Sequence, residues 1–245
     1  MIKLSVPDLI DLFQTASLGK VVGGLIHNIN GPLQNIGLDL EMTRYMLKKG
    51  IDVDDEKNSD LLKRLNRIEE ELDRLNDIIK TASNKVVGNQ NEGLLNVNDY
   101  LKQEFMFLNS NLYFKHNVKT QFSFSGEPPL ISAFPEHSTV AIGCLLQKII
   151  EDIESEKISG LKVTTSFKDK KVAVIELSVE NENLPRNNWE KINTKTFDSN
   201  KNTTDEIGVD MHLALKIFQD SDIELKPELK SKGTKIKISV PLNYR

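Results

Sequence analysis

The stretch that decides the fold is LGKVVGGLIHNINGPLQNI, Leu18 to Ile36. Its apolar positions are Leu18, Val22, Leu25, Ile29, Pro32 and Ile36, separated by alternating gaps of four and three residues. That is the repeat of a helix seam packed in a bundle. The pattern continues loosely through Leu40, Thr43 and Leu47 and ends at Gly50, after Lys48 and Lys49, whose charges suit a helix C-terminus. After the polar connector IDVDDEKNSD the seam resumes at Leu61, Leu65, Ile68, Leu72, Leu75, Ile79, Ala82 and Val86. Two helices joined by a short loop form an antiparallel hairpin. Each has one narrow apolar stripe, and two helices alone do not cover both stripes, so the pattern predicts a dimeric four-helix bundle.

Asn84 to Gly93, rich in Asn and Gly, reads as a linker. Beyond it the pattern changes to a helix over Val97–Leu108, a strand near Asn117–Phe124 and a second helix over about Pro135–Ser155. Alternating runs at Leu161–Phe167 and Lys171–Glu180 flank the polar turn KDKK and read as a β-hairpin. A third helix near Val209–Asp220 precedes strands at Ile223–Leu229 and Thr234–Val240. The expected class is α+β: a helical hairpin domain over residues 1–90, then a two-layer α/β sandwich over 94–245.

Composition removes several function classes. The chain has 245 residues and a formal charge of -4, with 32 basic against 36 acidic side chains, so no overall positive field attracts nucleic acid. Aromatics make up 6% and Trp189 is the sole tryptophan, which argues against stacking platforms for single strands. One cysteine, Cys144, forms no intramolecular disulfide and fits a reducing compartment; a cytoplasmic chain is expected. No uninterrupted apolar run of about 18 to 20 residues is present for a membrane span. Histidines 116, 137 and 212 are scattered, without metal-site spacing, and read as ordinary histidines. Cys144 reads as a small core residue, Glu69 to Glu71 as a solvated helix face, and Lys230 and Lys232 as charges that keep a sheet edge soluble.

His27 points almost directly away from the seam at about 100° per residue, so it is expected to be exposed. Gly23, Gly24 and Gly31 lie three or four positions from it and carry no side chains. Glycines and a proline together in one helical segment lower helix propensity by a few kcal/mol. Two readings stand on the residues alone: a histidine presented to a bulky partner, or an ordinary surface histidine beside a proline kink.

His27, Pro32 and Leu33 also match the phospho-acceptor box of sensor histidine kinases, in which a Pro-Leu pair follows the histidine by five and six positions. The segment Lys232-Gly233-Thr234 to Pro241-Leu242 resembles the strand that closes that family's ATPase domain. The resemblance spans the chain and implies a dimerisation and histidine-phosphotransfer hairpin followed by an ATPase-type sandwich. At the positions matching the family's nucleotide site the chemistry departs. The paired Asn residues are replaced by Cys144 and Lys148, of which neither is an oxygen donor for Mg²⁺. The Asp-X-Gly-X-Gly loop reads Glu180-Asn181-Glu182-Asn183, and the Gly-rich loop before the third helix keeps only Gly208, with Asp210 and His212 in the other places. These changes imply no productive ATP binding and no cofactor, with Mg²⁺ needed only in a partner.

In the acceptor box the usual acid after the histidine is Asn28, which can orient the imidazole but cannot take a proton, and the position four residues after it is Gly31. Transfer with a receiver aspartate asks less of this chain. The expectation is therefore a phosphorelay protein in which His27 is the phospho-acceptor and Lys20, Gly23, Asn30, Gly31, Gln34 and Leu38 dock response-regulator receiver domains. Two alternatives remain: a scaffold or decoy that binds a receiver or kinase without transfer, and a divergent kinase that still uses ATP.

Overall fold

The computed structural model describes residues 6–48, 55–87, 94–126, 131–132, 137–168, 171–179, 184–198, 208–231 and 233–241. The linker centre, Glu180, Glu182, Asp169, Lys170 and Lys232 lie outside the described residues. The chain divides into two compact units: residues 18–89, and residues 1–17 together with 90–245.

The first unit is made by two long helices. Helix α1 runs Val6–Lys48 and α2 runs Asp55–Val87. Pro32 sits inside α1 and is buried. Leu25, on the same face, is buried as well, and α2 answers with Ile68 and Leu75. Polar contacts set an antiparallel register: Arg64 and Arg67 both reach Asp39, at 3.1 and 2.6 Å, while Asn35 donates to Glu71 at 2.7 Å. Val22, expected in the seam, is exposed. A separate stripe of Ile26, Leu33, Leu40 and Leu47, spaced by seven, is at least half exposed on α1, and Leu65, Leu72 and Ile79 repeat the spacing on α2. One chain therefore covers one apolar stripe per helix and leaves another open.

The second unit is a helix layer on a sheet. Its order is β1 (Leu94–Leu95), α3 (Val97–Leu108), α4 (Leu112–Asn117), β2 (Lys119–Ser123), β3 (Ile131–Ser132), α5 (Ser138–Ser155), β4 (Gly160–Lys168), β5 (Val172–Val179), α6 (Arg186–Trp189), α7 (Val209–Asp220), β6 (Glu224–Leu229) and β7 (Thr234–Pro241). The five-stranded sheet has the order β2-β4-β5-β7-β6, and β1 pairs with β3 in a separate two-stranded ribbon. β4, β5, β7 and β6 pair antiparallel in that order, while β2 lies parallel to β4. Alternation on β7 buries Ile236, Ile238 and Val240 and leaves Lys235, Lys237 and Ser239 toward the open face. α3 begins at an N-cap, Asn96, whose side chain accepts from the amides of Asn98 and Asp99.

The α3, α5 and α7 boundaries expected from periodicity agree with the structure to within a few residues. α4, α6 and the β1–β3 ribbon are too short to leave a periodic signal. The first turns of α1 also belong with the sandwich: Ile10 and Phe13 join its core, and the Ser17 hydroxyl donates to Gln147 of α5 at 2.7 Å. Both partners of that bond are buried, which satisfies two polar groups at once.

Candidate functional site

His27 is exposed in the middle of α1, and among the described residues it carries no hydrogen bond or ion pair. A helix side chain at this position has neighbours at three and four residues away. Three of these are glycines: Gly23 and Gly31 are exposed, and Gly24 is buried. A Cβ built at Gly23 or Gly31 meets nothing within 4 Å, and the same holds for Gly19 and Gly37. Packing against other parts of the chain therefore does not demand glycine at Gly19, Gly23 or Gly37, while at Gly31 the ring of Pro32, next in the helix, disfavours a Cβ. The result is an imidazole standing above a shallow, bare helix surface, open to a large partner.

Lys20, Asn30, Gln34 and Leu38 are exposed along the same side of α1, and Leu38 presents 63% of its surface. Asn28 is half-buried, and no hydrogen bond links it to His27 among the described residues. Consecutive helical side chains diverge by about 100°, so Asn28 lies nearer the buried stripe of Leu25 and Pro32 while His27 turns outward. Beyond the histidine, a groove between α1 and α2 is lined by Asn35, Leu38, Asp39, Arg67, Glu70, Glu71 and Arg74. It begins about 12 Å along the helix axis from His27 and extends to about 18 Å, at 1.5 Å per residue. Its charges are of both signs, and Arg67 and Asp39 are already paired within it. The sequence points to Leu38 on α1 and to the acidic run Glu69 to Glu71 on α2 as a solvated face, while Arg67 and Arg74 give no distinct signal there.

The positions matched to a nucleotide site are found in the sandwich. Cys144 is 1% exposed on α5 and is core. Lys148, one turn on, gives its ammonium to Asp152 at 2.6 Å. The other oxygen of Asp152 accepts the indole N–H of Trp189 at 2.8 Å. Trp189 is fully buried and Asp152 nearly so. Buried carboxylates persist when both oxygens are bonded, and this one has an ammonium and an indole. Lys148 is thus committed to an internal contact. The signal for this network was weak, since Asp152 and Trp189 are separated by 37 positions.

At the start of α7, Gly208 has φ of +84°, a backbone that L side chains rarely adopt, and it caps the helix without a side-chain bond. Asp210 follows in the first turn. His212 rests edge-on against the Phe197 ring at 5.1 Å, and burial, with Lys216 nearby, lowers its pKa from the ordinary histidine value. Gly233, with φ of +114°, turns the chain into β7. Tyr100 donates its hydroxyl to the Thr139 carbonyl at 2.8 Å, and burial, reinforced by Glu104, pushes its pKa well up. It therefore stays neutral as a core hydrogen-bond donor.

The thiol of Cys144 is enclosed, the ammonium of Lys148 is paired, and among the described residues no group of three or more His, Cys, Asp and Glu side chains could hold a metal. No helix among the described residues is long and apolar enough to cross a membrane.

No family model and no curated protein matches the chain. Among solved structures, a bacterial phosphotransferase aligns over 97% of this chain and 98% of its own at 13% identity and a TM-score of 0.45. The histidine kinase AdeS of Acinetobacter baumannii aligns over 89% of this chain and 98% of its own at 13% identity and a TM-score of 0.44. The catalytic domain of the histidine kinase ThkA covers 62% of this chain and 97% of its own at 17% identity and a TM-score of 0.46. Identities this low and scores below 0.5 decide nothing about the chemistry of this chain, which rests on its own residues.

Proposed function

We propose that this protein is a histidine phosphotransfer protein of a phosphorelay, in which His27 exchanges a phosphoryl group with aspartates of receiver domains. The observation that carries the reading is the bare helix surface around an exposed, unbonded imidazole. A neutral imidazole nitrogen attacks the phosphorus of a receiver acyl phosphate; a P–N bond forms, the P–O bond to the aspartate breaks, and the carboxylate leaves. The other ring nitrogen gives its proton to water. In the reverse direction the receiver carboxylate attacks, the P–N bond breaks, and the imidazole departs after its other nitrogen takes a proton back from water. Mg²⁺ belongs to the acidic pocket of the receiver in this scheme, since the helix positions three and four residues from His27 carry no carboxylate.

The open heptad stripes support a homodimer. Ile26, Leu33, Leu40 and Leu47 on α1, with Leu65, Leu72 and Ile79 on α2, are apolar side chains about half exposed in one chain. Covering them with a second hairpin completes a four-helix bundle. The groove at Leu38, Arg67 and Arg74 lies beyond His27 along α1 and offers a receiver apolar and charged contacts together. The sandwich acts as a brace or second docking surface without productive ATP binding, a reading supported by the Lys148–Asp152–Trp189 network.

The test is incubation with phosphorylated receiver domains from the same genome. Label on the wild type and none on His27→Ala supports transfer through this histidine. Binding without label points to a scaffold, and label from ATP alone, with no receiver present, points to a kinase.

A further inference from the structure

The two edges of the five-stranded sheet are built differently. At β6, Pro227 lacks an N–H and Glu224, Lys226 and Glu228 put charge on alternate positions. Those are ordinary devices that keep a sheet edge from pairing with another chain. β2, at the opposite edge, has no proline and no acid. Four of its five residues are exposed, and Phe122 among them shows 46% of its surface although its ring is 5.2 Å from Phe105 and 5.3 Å from Phe124.

This edge is held in place at both ends. The Lys119 amide donates to the Ser159 carbonyl at 2.8 Å. Two residues past the strand, the Ser125 amide donates to the Thr165 hydroxyl at 3.0 Å, and that hydroxyl donates to Asn98 at 2.7 Å. Asn98 returns a bond to the Ser125 carbonyl at 3.1 Å. The strand is therefore a preformed edge about 17 Å long at 3.3 Å per residue.

Its two faces ask for different chemistry. Lys119, Gln121 and Ser123 stand in register with Gly160, Lys162 and Thr164 on the open face, whereas Thr120 and Phe122 stand with buried Leu161 and Val163 on the helix-covered face. Neither Lys119 nor Lys162 has an ion-pair partner among the described residues. We propose that the β2 edge binds an extended segment of another protein by strand addition. In that segment acidic residues alternate with apolar ones, so that the acids meet Lys119 and Lys162 and the apolar side chains cover Phe122. Main-chain bonds supply the affinity in this mode and the alternating side chains supply the choice of partner. A second copy of β2 fits poorly, because it would bring its own Lys119 and no acid to a face that is already cationic. The inference does not depend on transfer at His27.

The probe is a short fluorescent peptide alternating glutamate and valine, titrated against the full chain, with a peptide carrying lysine in place of glutamate as control. Saturable binding that weakens with salt is expected, reduced about fivefold by Lys119→Glu and again by Lys162→Glu, with the lysine peptide then preferred. Lys226→Glu at the opposite edge should bind as the wild type does. Hydrogen exchange should show new amide protection within residues 119–123. The proposal is overturned by absence of saturable binding, by indifference to both reversals, or by protection on another strand. Protection of β2 that grows with protein concentration without peptide would assign the edge to a second copy instead.

Discussion

Replacing Gly23 and Gly31 with alanine should separate the stability of this protein from its function. Glycine in a helix interior is about 0.8 to 1.0 kcal/mol less favourable than alanine, because the backbone surrenders more freedom on folding. Both glycines are inside α1, and a methyl group at either meets nothing within 4 Å beyond its chain neighbours and the helix's own backbone. No contact from elsewhere in the chain opposes the gain at Gly23, whereas Gly31 precedes Pro32, whose ring crowds a Cβ on a helical residue before it and offsets the gain there. The positions are eight residues apart, about 12 Å along the axis, so their effects should add, leaving a net gain of roughly 1 kcal/mol. For a cooperative unit of this size each kcal/mol raises Tm by about 4 to 8 °C. Thermal melting followed by far-UV circular dichroism should therefore show Gly23→Ala/Gly31→Ala unfolding about 4 to 8 °C higher if the hairpin melts as one unit. Phosphoryl transfer to His27, measured on the same samples, should slow, because the two methyl groups fill the surface a receiver must approach. A destabilised double variant would refute the packing account. A stabilised variant that transfers at the wild-type rate would refute the claim that the bare surface serves docking.

Asp152→Ala should lower the stability of the sandwich by about 3 kcal/mol, since it leaves the buried indole N–H of Trp189 unpaired and takes the partner from Lys148. Urea titration followed by the fluorescence of this single tryptophan reads it directly, and a midpoint like the wild type's would sink the network's importance. Leu33→Asp combined with Leu72→Asp places charges on the open stripes and should yield monomers in analytical ultracentrifugation; an unchanged dimer would move the interface elsewhere. His212 has a folded-state pKa below its unfolded value, so its folded form resists protonation. Its contribution is present above the ordinary histidine pKa and is lost as pH falls toward the lowered value. His212→Phe keeps a ring against Phe197 and should flatten stability between neutral and mildly acidic pH; a profile that keeps its slope assigns the dependence to other groups.

Periodicity was informative where elements were long. α1 and α2 were legible from heptad spacing, and α7 from its exact span, because many residues repeat the same geometric demand. Exposure of His27 followed from angle alone. The parallel pairing of β2 with β4 was not legible, since a strand's alternation is the same whichever way its neighbour runs. The seam itself was only partly right: Val22 fits the spacing yet is exposed, because 3.6 residues per turn lets two adjacent stripes share one apolar pattern.

The sequence by itself determined two long helices, a sandwich after them, and a histidine facing away from the packed seam, for those are matters of local geometry and of which side is apolar. Only the tertiary structure decided what each face meets. It brought Ile10, Phe13 and Ser17 into the sandwich, joined Lys148, Asp152 and Trp189, and left the edge at β2 without a paired strand on its outer side among the described residues. The physical reason is that hydrophobic patterning records how much surface must leave water, while hydrogen bonds and ion pairs depend on atoms that distant parts of the chain place within about 3 Å of one another.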